Sequence, residues 1–104
     1  MFIAMNRFRV HHGQEEAFEA LWTQRDSHLQ GVDGFVAFHL LRGPSGDDHT
    51  LFASHSLWAS REAFLAWTKS EAFRAAHKDA KAHQGLYAGA PTFEGFDVRQ
   101  EIAA

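Results

Sequence analysis

The 104-residue chain has no cysteine, only two prolines, no block of like charge and no long apolar run. Without cysteine, disulfides, thiolate metal sites and cysteine nucleophiles are all excluded. No apolar segment approaches the roughly 18 residues of a membrane-spanning helix, and the N-terminal MFIAMNRFRVHH lacks the apolar region of a signal peptide. We therefore expect a soluble cytoplasmic protein that makes no membrane contact.

The motifs of several enzyme classes are missing as well. The 10 Lys and Arg residues are scattered among 13 Asp and Glu residues, which disfavours a nucleic-acid partner. There is no P-loop, no G-x-G-x-x-G for a flavin or nicotinamide and no G-x-S-x-G nucleophile, so an oxidoreductase of this sequence would need a separate electron donor. His49 and His55 share a strand face and His39 lies on the neighbouring strand. Without H-E-x-x-H, HxH or a carboxylate cluster, they predict neither a structural zinc nor a facial-triad iron site.

Aromatic residues make up 13% of the chain, and there are eight histidines. The length supports one domain over residues 1–104. A domain of this size buries only about 60% of its unfolded surface, so self-association would help to stabilise it.

Hydrophobic periodicity and turn residues divide the chain into strands and helices. Alternation with a period of two marks the strands, and apolar residues three or four apart mark the helices. Glycine and proline mark a hairpin over 43–47 and a loop over 85–91, while Ser60 and Ser70 are typical N-cap residues. The predicted strands are 2–10, Phe35 to Arg42, Thr50 to Trp58 and Thr92 to Arg99, and the predicted helices are 14–29, 60–68 and about 70–83.

The order strand, helix, strand, strand, helix, strand is that of the α+β, ferredoxin-like split βαβ unit with an antiparallel sheet. Helices on one face of such a sheet leave the other face uncovered. Because the sheet is rich in Phe, Leu and Val, we expect two copies to close their sheets together as a dimeric α/β barrel, that is, a homodimer.

Asn6 stands on the otherwise apolar face of the first predicted strand. A buried amide without a partner costs about 1–3 kcal/mol, so something should pair with it. One interpretation is a hydrogen bond to neighbouring backbone, and the other is a donor aimed into a ligand pocket.

His77 and Trp67 are open to the same two interpretations. His77 stands beside Ala75 and Ala76, whose small side chains would let a flat ligand approach, and neutral imidazole is the usual proximal ligand of haem iron when no thiolate is present. It could equally be a surface histidine. Trp67 is either a core or dimer-interface residue or a rigid wall against a planar cofactor.

In combination, these positions resemble the IsdG-type haem-degrading monooxygenases of the antibiotic-biosynthesis-monooxygenase (ABM)-like superfamily of dimeric ferredoxin-like proteins. The resemblance rests on Asn6 in the first strand, on Trp67 at the end of the helix after the third strand, and on His77 ten residues later. The segment between reads SREAFLAWTKSEAFRAAHK, with the spacing F-x-x-W-x-x-S-x-x-F-x-x-x-H. This spacing covers the second half of the chain, whereas the element order covers nearly all of it.

The resemblance implies roles for these residues. His77 would be the proximal ligand and so the metal-binding residue for the iron of haem b, which would serve as both substrate and cofactor. Asn6 would face the distal side, where oxygen binds, and Trp67 would press on the macrocycle and distort it; these two would be the catalytic residues. Distortion of the macrocycle is one way in which a protein tunes haem chemistry.

Four further residues are candidates for binding the cofactor. Phe64, Phe73 and Trp22 would line an apolar pocket, or equally belong to an ordinary core. Arg25 would pair with a haem propionate, or be a solvated helix charge.

The leading hypothesis is a haem oxygenase that opens the porphyrin with O₂ and electrons from an external donor, a reductase or ascorbate, releasing iron and a biliverdin-like tetrapyrrole. One alternative is a cofactor-free ABM-type monooxygenase acting on a quinol or polyphenol, in which Asn6 and Trp67 orient the substrate. Another is a non-catalytic haem carrier with the same pocket.

Overall fold

The structure is a computed structural model that describes residues 1–24, 27–77 and 85–104. Within these residues the chain forms four strands and three helices. They are β1 (Phe2–Val10), α1 (Glu15–Gln24), β2 (Phe35–Ser45), β3 (Thr50–Trp58), α2 (Arg61–Thr68), α3 (Glu71–His77) and β4 (Thr92–Asp97).

The strands form one antiparallel sheet in the order β2-β3-β1-β4. This is the ferredoxin-like arrangement, so the predicted fold class is confirmed. β1 pairs with β3 along its whole length and with β4 over residues 2–7, with Asn6 opposite Ser54 on one side and Phe93 on the other. Neighbouring residues along each strand point to opposite faces, so this register decides which side chains share a face.

The two faces differ in what packs on them. The covered face carries the even-numbered residues of β1 and packs against the helices. The open face carries the odd-numbered residues, and no described helix joins a core cluster on it. Leu41 and Phe96 on the open face remain 41% and 45% exposed. A partner sheet on this face stays a prediction.

The core divides into two clusters on the covered face. One joins Phe2 and Trp58 of the sheet to Trp67 of α2, and the other joins Phe8 and Phe52 to Phe18 of α1. Gly34, at a positive φ of 81°, lets α2 approach closely, because a Cβ there would lie 2.4 Å from the Ala63 Cβ. The two clusters together fix the helices over the sheet.

Some predicted boundaries were wrong. The described part of the first helix extends to Gln24 and residues 27–29 are not helical, although Leu29 is buried in the core. The second strand continues through the expected hairpin residues to Ser45, because a register shift between Arg42 and Ser45 absorbs the glycine and proline. The tail of the predicted last helix, 78–83, lies outside the described residues.

The remaining boundaries agree with the prediction to within two residues. Ser60 caps α2 by accepting a hydrogen bond from the Ala63 amide at 3.1 Å. The last strand ends at Asp97 and not at Arg99. None of the described helices is long and apolar enough to cross a membrane.

Candidate active site

A cavity of about 480 Å³ lies between the covered face and the helices. Its floor is the sheet, and its walls come from α1, α2, α3 and the segment before β4. Its lining residues are mostly apolar or aromatic, with a few small polar groups. They are Ala4, Asn6, Phe8, Trp22, Ser27, Leu29, Phe38, Ser54, Ser56, Phe64, Trp67, Thr68, Phe73, His77, Tyr87, Pro91 and Phe93.

Asn6 and Ser54 form the polar part of the floor. They stand opposite each other on β1 and β3, where side chains of paired residues lie about 5 Å apart. Among the described residues, neither side chain has a hydrogen-bond partner, whereas Ser56 donates to the Ala4 carbonyl and accepts from Trp58. The interpretation of Asn6 as an amide satisfied by nearby backbone is therefore wrong for the described chain. Asn6 and Ser54 are available to a ligand.

Trp67 and Phe73 are positioned by the junction between α2 and α3. The Ser70 hydroxyl donates to the Trp67 carbonyl at 2.6 Å and accepts from the Phe73 amide at 3.1 Å. One side chain thus closes the end of α2 and caps the start of α3. The two rings meet edge to face, with centroids 4.9 Å apart. Their relative orientation follows from this short serine-linked junction.

His77 stands at the last residue of α3 within the described chain. Its Nδ1 donates to the Phe73 carbonyl at 2.8 Å, and its ring stacks on the Phe73 ring with centroids 4.1 Å apart. Because a carbonyl can only accept, Nδ1 carries the proton in the neutral ring and Nε2 carries the lone pair. The same hydrogen bond restricts the rotation of the ring. His77 is thus prepared in the tautomer that ligates a metal through Nε2.

Trp67 closes the cavity against the core. Its ring contacts Trp58 at 5.4 Å and His77 at 5.9 Å between centroids. Although the residue is only 9% exposed, its Nε1 has no hydrogen-bond partner among the described residues. A buried indole usually finds an acceptor, so this one is a polar group for which the described protein supplies no partner.

The structure brings together nearly all of the predicted site residues. Asn6, Trp67 and His77 line one cavity, and Phe64, Phe73 and Trp22 line it with them. Phe64 and Phe73 also pack on the core, and their role in binding a cofactor stays a prediction. Trp22 stacks on Phe38 at 5.8 Å. The prediction for Arg25 lies outside the described residues.

The sequence did not single out Ser54, Phe38 or Phe93, which also line the cavity. Ser54 becomes visible only when β3 is placed in register with β1, because the serine itself is ordinary in a strand. Phe93 is 51% exposed and stacks on Phe64 with centroids 5.8 Å apart. It therefore lies at the rim of the cavity.

Within the described ranges, no Asp, Glu, Lys or Arg lines the cavity. Among the described residues, the two carboxyl groups with a shifted pKa lie outside the cavity. Hydrogen bonds from its own backbone and from Thr50 lower the pKa of Glu15 from 4.5 to about 2, and the hydrogen bond and charge of His49 lower the pKa of Asp48. The described site therefore offers an imidazole, an amide, hydroxyls and flat rings, and no carboxylate pair for general acid and base catalysis.

Comparison with known sequences places this site in a family context. Residues 1–79 match the antibiotic biosynthesis monooxygenase family. The chain is 30% identical over 83 residues to heme oxygenase (staphylobilin-producing) 1 of Staphylococcus aureus strain Newman, covering 78% of this chain and 75% of that protein.

Among the solved structures that share the fold, two have different chemistry. MhuD, a heme-degrader from Mycobacterium tuberculosis with two hemes bound in its active site, has a TM-score of 0.70 and 23% identity, over 99% of this chain and all 100% of that one. SnoaB, a cofactor-independent oxygenase from Streptomyces nogalater, has a TM-score of 0.69 and 22% identity, over 99% and 97% of the two chains. At these identities the likeness concerns the fold alone, which is common to two proteins with different chemistry.

Proposed function

Because this chain belongs to the antibiotic biosynthesis monooxygenase family, we propose that it is an oxygenase whose substrate is haem. It opens the porphyrin with O₂ and external electrons and releases iron and a biliverdin-like tetrapyrrole. The observation that carries the proposal is His77, held by Phe73 in a metal-ligating tautomer at the wall of an aromatic cavity that also contains Asn6 and Trp67.

The size of the cavity is that of a small-molecule site, and its lining suits a flat, largely apolar ligand such as haem. Its volume of about 480 Å³ lies within the range of roughly 300–1,000 Å³ for small-molecule sites, and its walls are largely flat rings. Neutral imidazole is a normal axial ligand of haem iron, and no cysteine competes for that role. When bound, haem supplies the iron that activates dioxygen, and the macrocycle is the part that is oxidised.

His77 holds the iron through Nε2, and Phe73 acts as a positioning residue. The Phe73 carbonyl accepts from Nδ1 and its ring stacks on the imidazole, so the ring cannot turn to present the other nitrogen without losing both contacts. An acceptor on Nδ1 also raises the basicity of Nε2 as a ligand. This arrangement strengthens binding more than it affects the chemical step.

Trp67 and Asn6 act on the bound macrocycle from different walls. The Trp67 ring is fixed by Trp58 and Phe73, so it resists displacement and can distort a planar ligand pressed against it. Asn6, beside Ser54 on the floor, would supply amide donors to polar groups of a ligand bound in the cavity. Both residues therefore govern turnover more than affinity.

The electron donor and the second subunit of the proposed enzyme lie outside the cavity. Electrons come from an external donor, a reductase or ascorbate, because the sequence holds no flavin or nicotinamide motif. We also propose a homodimer through the open face, whose apolar side chains include Leu41 and Phe96, both more than one-third exposed. A cytoplasmic location stays a prediction.

The test is a haem titration followed by turnover. Wild-type protein should give a saturable Soret band, which ascorbate or a reductase under air converts to a linear tetrapyrrole identified by mass spectrometry. His77→Ala should lose stoichiometric binding. His39→Ala, on the open face of the same sheet, is the matched control and should bind as the wild type does.

Three outcomes would contradict the proposal. Unchanged binding and turnover in His77→Ala would overturn the assignment of the ligand. A wild-type protein with no saturable haem affinity that oxidises a quinol or polyphenol would be a cofactor-free oxygenase. A protein that binds haem but leaves its spectrum intact with reductant and air would be a haem carrier.

A further inference from the structure

The open face carries two histidines that the cavity does not use. His39 on β2 and His55 on β3 stand directly opposite each other, and their ring centroids lie 5.6 Å apart at an interplanar angle of 53°. They lie on the opposite face from Asn6 and the cavity, because His55 directly follows Ser54 in sequence and pairs with Met5. This His39/His55 pair is 16 residues apart in sequence and has no motif spacing.

The spacing of the rings is that of two imidazoles on one metal ion. A metal–nitrogen bond of about 2.1 Å places each ring centroid about 3.2 Å from the ion. At a tetrahedral angle the two centroids are then about 5.2 Å apart, and about 5.5 Å apart at 120°. The pair has this separation without any rearrangement of the strands.

The surroundings of the pair suit a cation with nitrogen ligands. The Nδ1 of His55 is buried and has no hydrogen-bond partner among the described residues, so the ring is not committed through that atom. The flanking pairs on the same face are Ala37 with Leu57 and Leu41 with Ala53, which carry no charge. Because these neighbours are small or apolar, the two imidazoles are the polar side chains at this position of β2 and β3.

From this geometry we propose that His39 and His55 form a chelating site for a late first-row divalent metal ion, with solvent completing the coordination. Imidazole suits copper, zinc and nickel, and affinity at such a site is highest for Cu²⁺. No third described His, Asp, Glu or Cys joins a metal-binding group here, which predicts an exchangeable site and not a closed structural one.

The experiment is a Cu²⁺ titration of the full chain without haem. Wild type should bind one Cu²⁺ per chain, with an electron paramagnetic resonance spectrum showing two coordinated nitrogens. His39→Ala should weaken this binding by about tenfold or more, because one ligand of a chelate is lost. His39 is exposed on an edge strand, so the substitution should leave the fold intact.

The control removes the same number of imidazoles elsewhere. His11→Ala with His12→Ala should retain the two-nitrogen spectrum and the affinity, whereas His39→Ala with His55→Asn should lose both. Equal losses in the two double variants, or a wild-type spectrum without two nitrogens, would overturn the site. Haem absorbance of His39→Ala is measured in parallel, so a failure of this site is distinguishable from a failure of the haem proposal.

Discussion

Two adjacent rows of side chains cross the same sheet, one on each face. The row on the covered face runs Leu40, Ser54, Asn6 and Phe93, and the next row, on the open face, runs His39, His55, Met5 and Glu94. The first row lies beneath rings and contributes to a cavity of about 480 Å³. The second has no described helix over it.

The difference shows how one strand pattern supports two kinds of chemistry. On the covered face, aromatic residues surround the polar ones, so any ligand there must be flat and largely apolar. On the open face, the histidines meet only through strand register, and they face solvent or a second copy. Two neighbouring residues of β1 therefore lie in different environments, and substitutions at them have different effects.

The largest effect on stability is expected at Trp58, which is 0% exposed in the core of the covered face. Trp58→Ala should lower the free energy of unfolding by about 3–5 kcal/mol, because it removes a large buried ring and leaves a cavity. Its neighbour Leu57 points to the open face, so Leu57→Ala should cost clearly less in dilute protein. Urea unfolding of both variants measures the contrast, and equal losses would contradict it.

The second prediction concerns association through the open face. Met5→Glu places a carboxylate at the centre of that face and beside Glu94, so it should dissociate a dimer that buries this surface. Sedimentation velocity should show the wild type as a dimer and the variant as a monomer. Leu65→Glu, at an exposed position of α2, is the control and should remain dimeric. Dimeric Met5→Glu protein would rule out this interface.

The third prediction separates binding from turnover on the covered face. Asn6→Ala should slow haem degradation by about 10–100-fold, since a donor to developing charge is worth about 1.5–3 kcal/mol. The Soret titration should change little, because His77 holds the iron. Ser54→Ala should give a smaller loss. An Asn6→Ala variant with normal turnover would overturn the catalytic role of the amide.

Particular residues show how far the sequence could predict these rows. Alternation over residues 2–10 predicted β1 to the residue and placed Asn6 on the correct face, because a period of two is a local property. The partnership of Asn6 with Ser54, like that of His39 with His55, depends on register between strands that are distant in sequence. No local pattern contains that information.

In the cavity, too, residues close together in sequence were predictable and contacts between distant segments were not. Trp67, Phe73 and His77 were predictable together because helical spacing and the cap at Ser70 bring them close within one segment. The buried Trp67 indole without a described partner was not predictable, since it depends on packing against Trp58 across the core. The end of the first helix was also missed, because apolar spacing continued to Leu29 after the helix had ended.

The smallest effect on stability is expected at Glu15, where hydrogen bonds join α1 to the covered face. Thr50, 0% exposed at the start of β3, donates to the Glu15 carboxylate at 2.8 Å, and the Gly13 amide donates to the same group at 2.8 Å. Hydrogen bonds from its own backbone, from Thr50 and from Gly13 lower the pKa of Glu15 from 4.5 to about 2. A lowered pKa in the folded state means that the ionised carboxylate stabilises the fold above about pH 4.5 and that this contribution is lost as the pH falls towards 2.

Glu15→Gln keeps an oxygen acceptor for Thr50 and Gly13 but removes the charge. The variant should therefore be less stable than wild type at pH 7, and the difference should shrink steadily between about pH 4.5 and 2, where the wild type loses its own ionised group. Urea midpoints at pH 7, 4 and 2.5 measure this convergence. A difference that stays constant with pH would mean that the hydrogen-bond geometry, and not the ionised carboxylate, ties the helix layer to the covered face. In that case α1 would be held on the covered face by packing and neutral hydrogen bonds, without a contribution from charge.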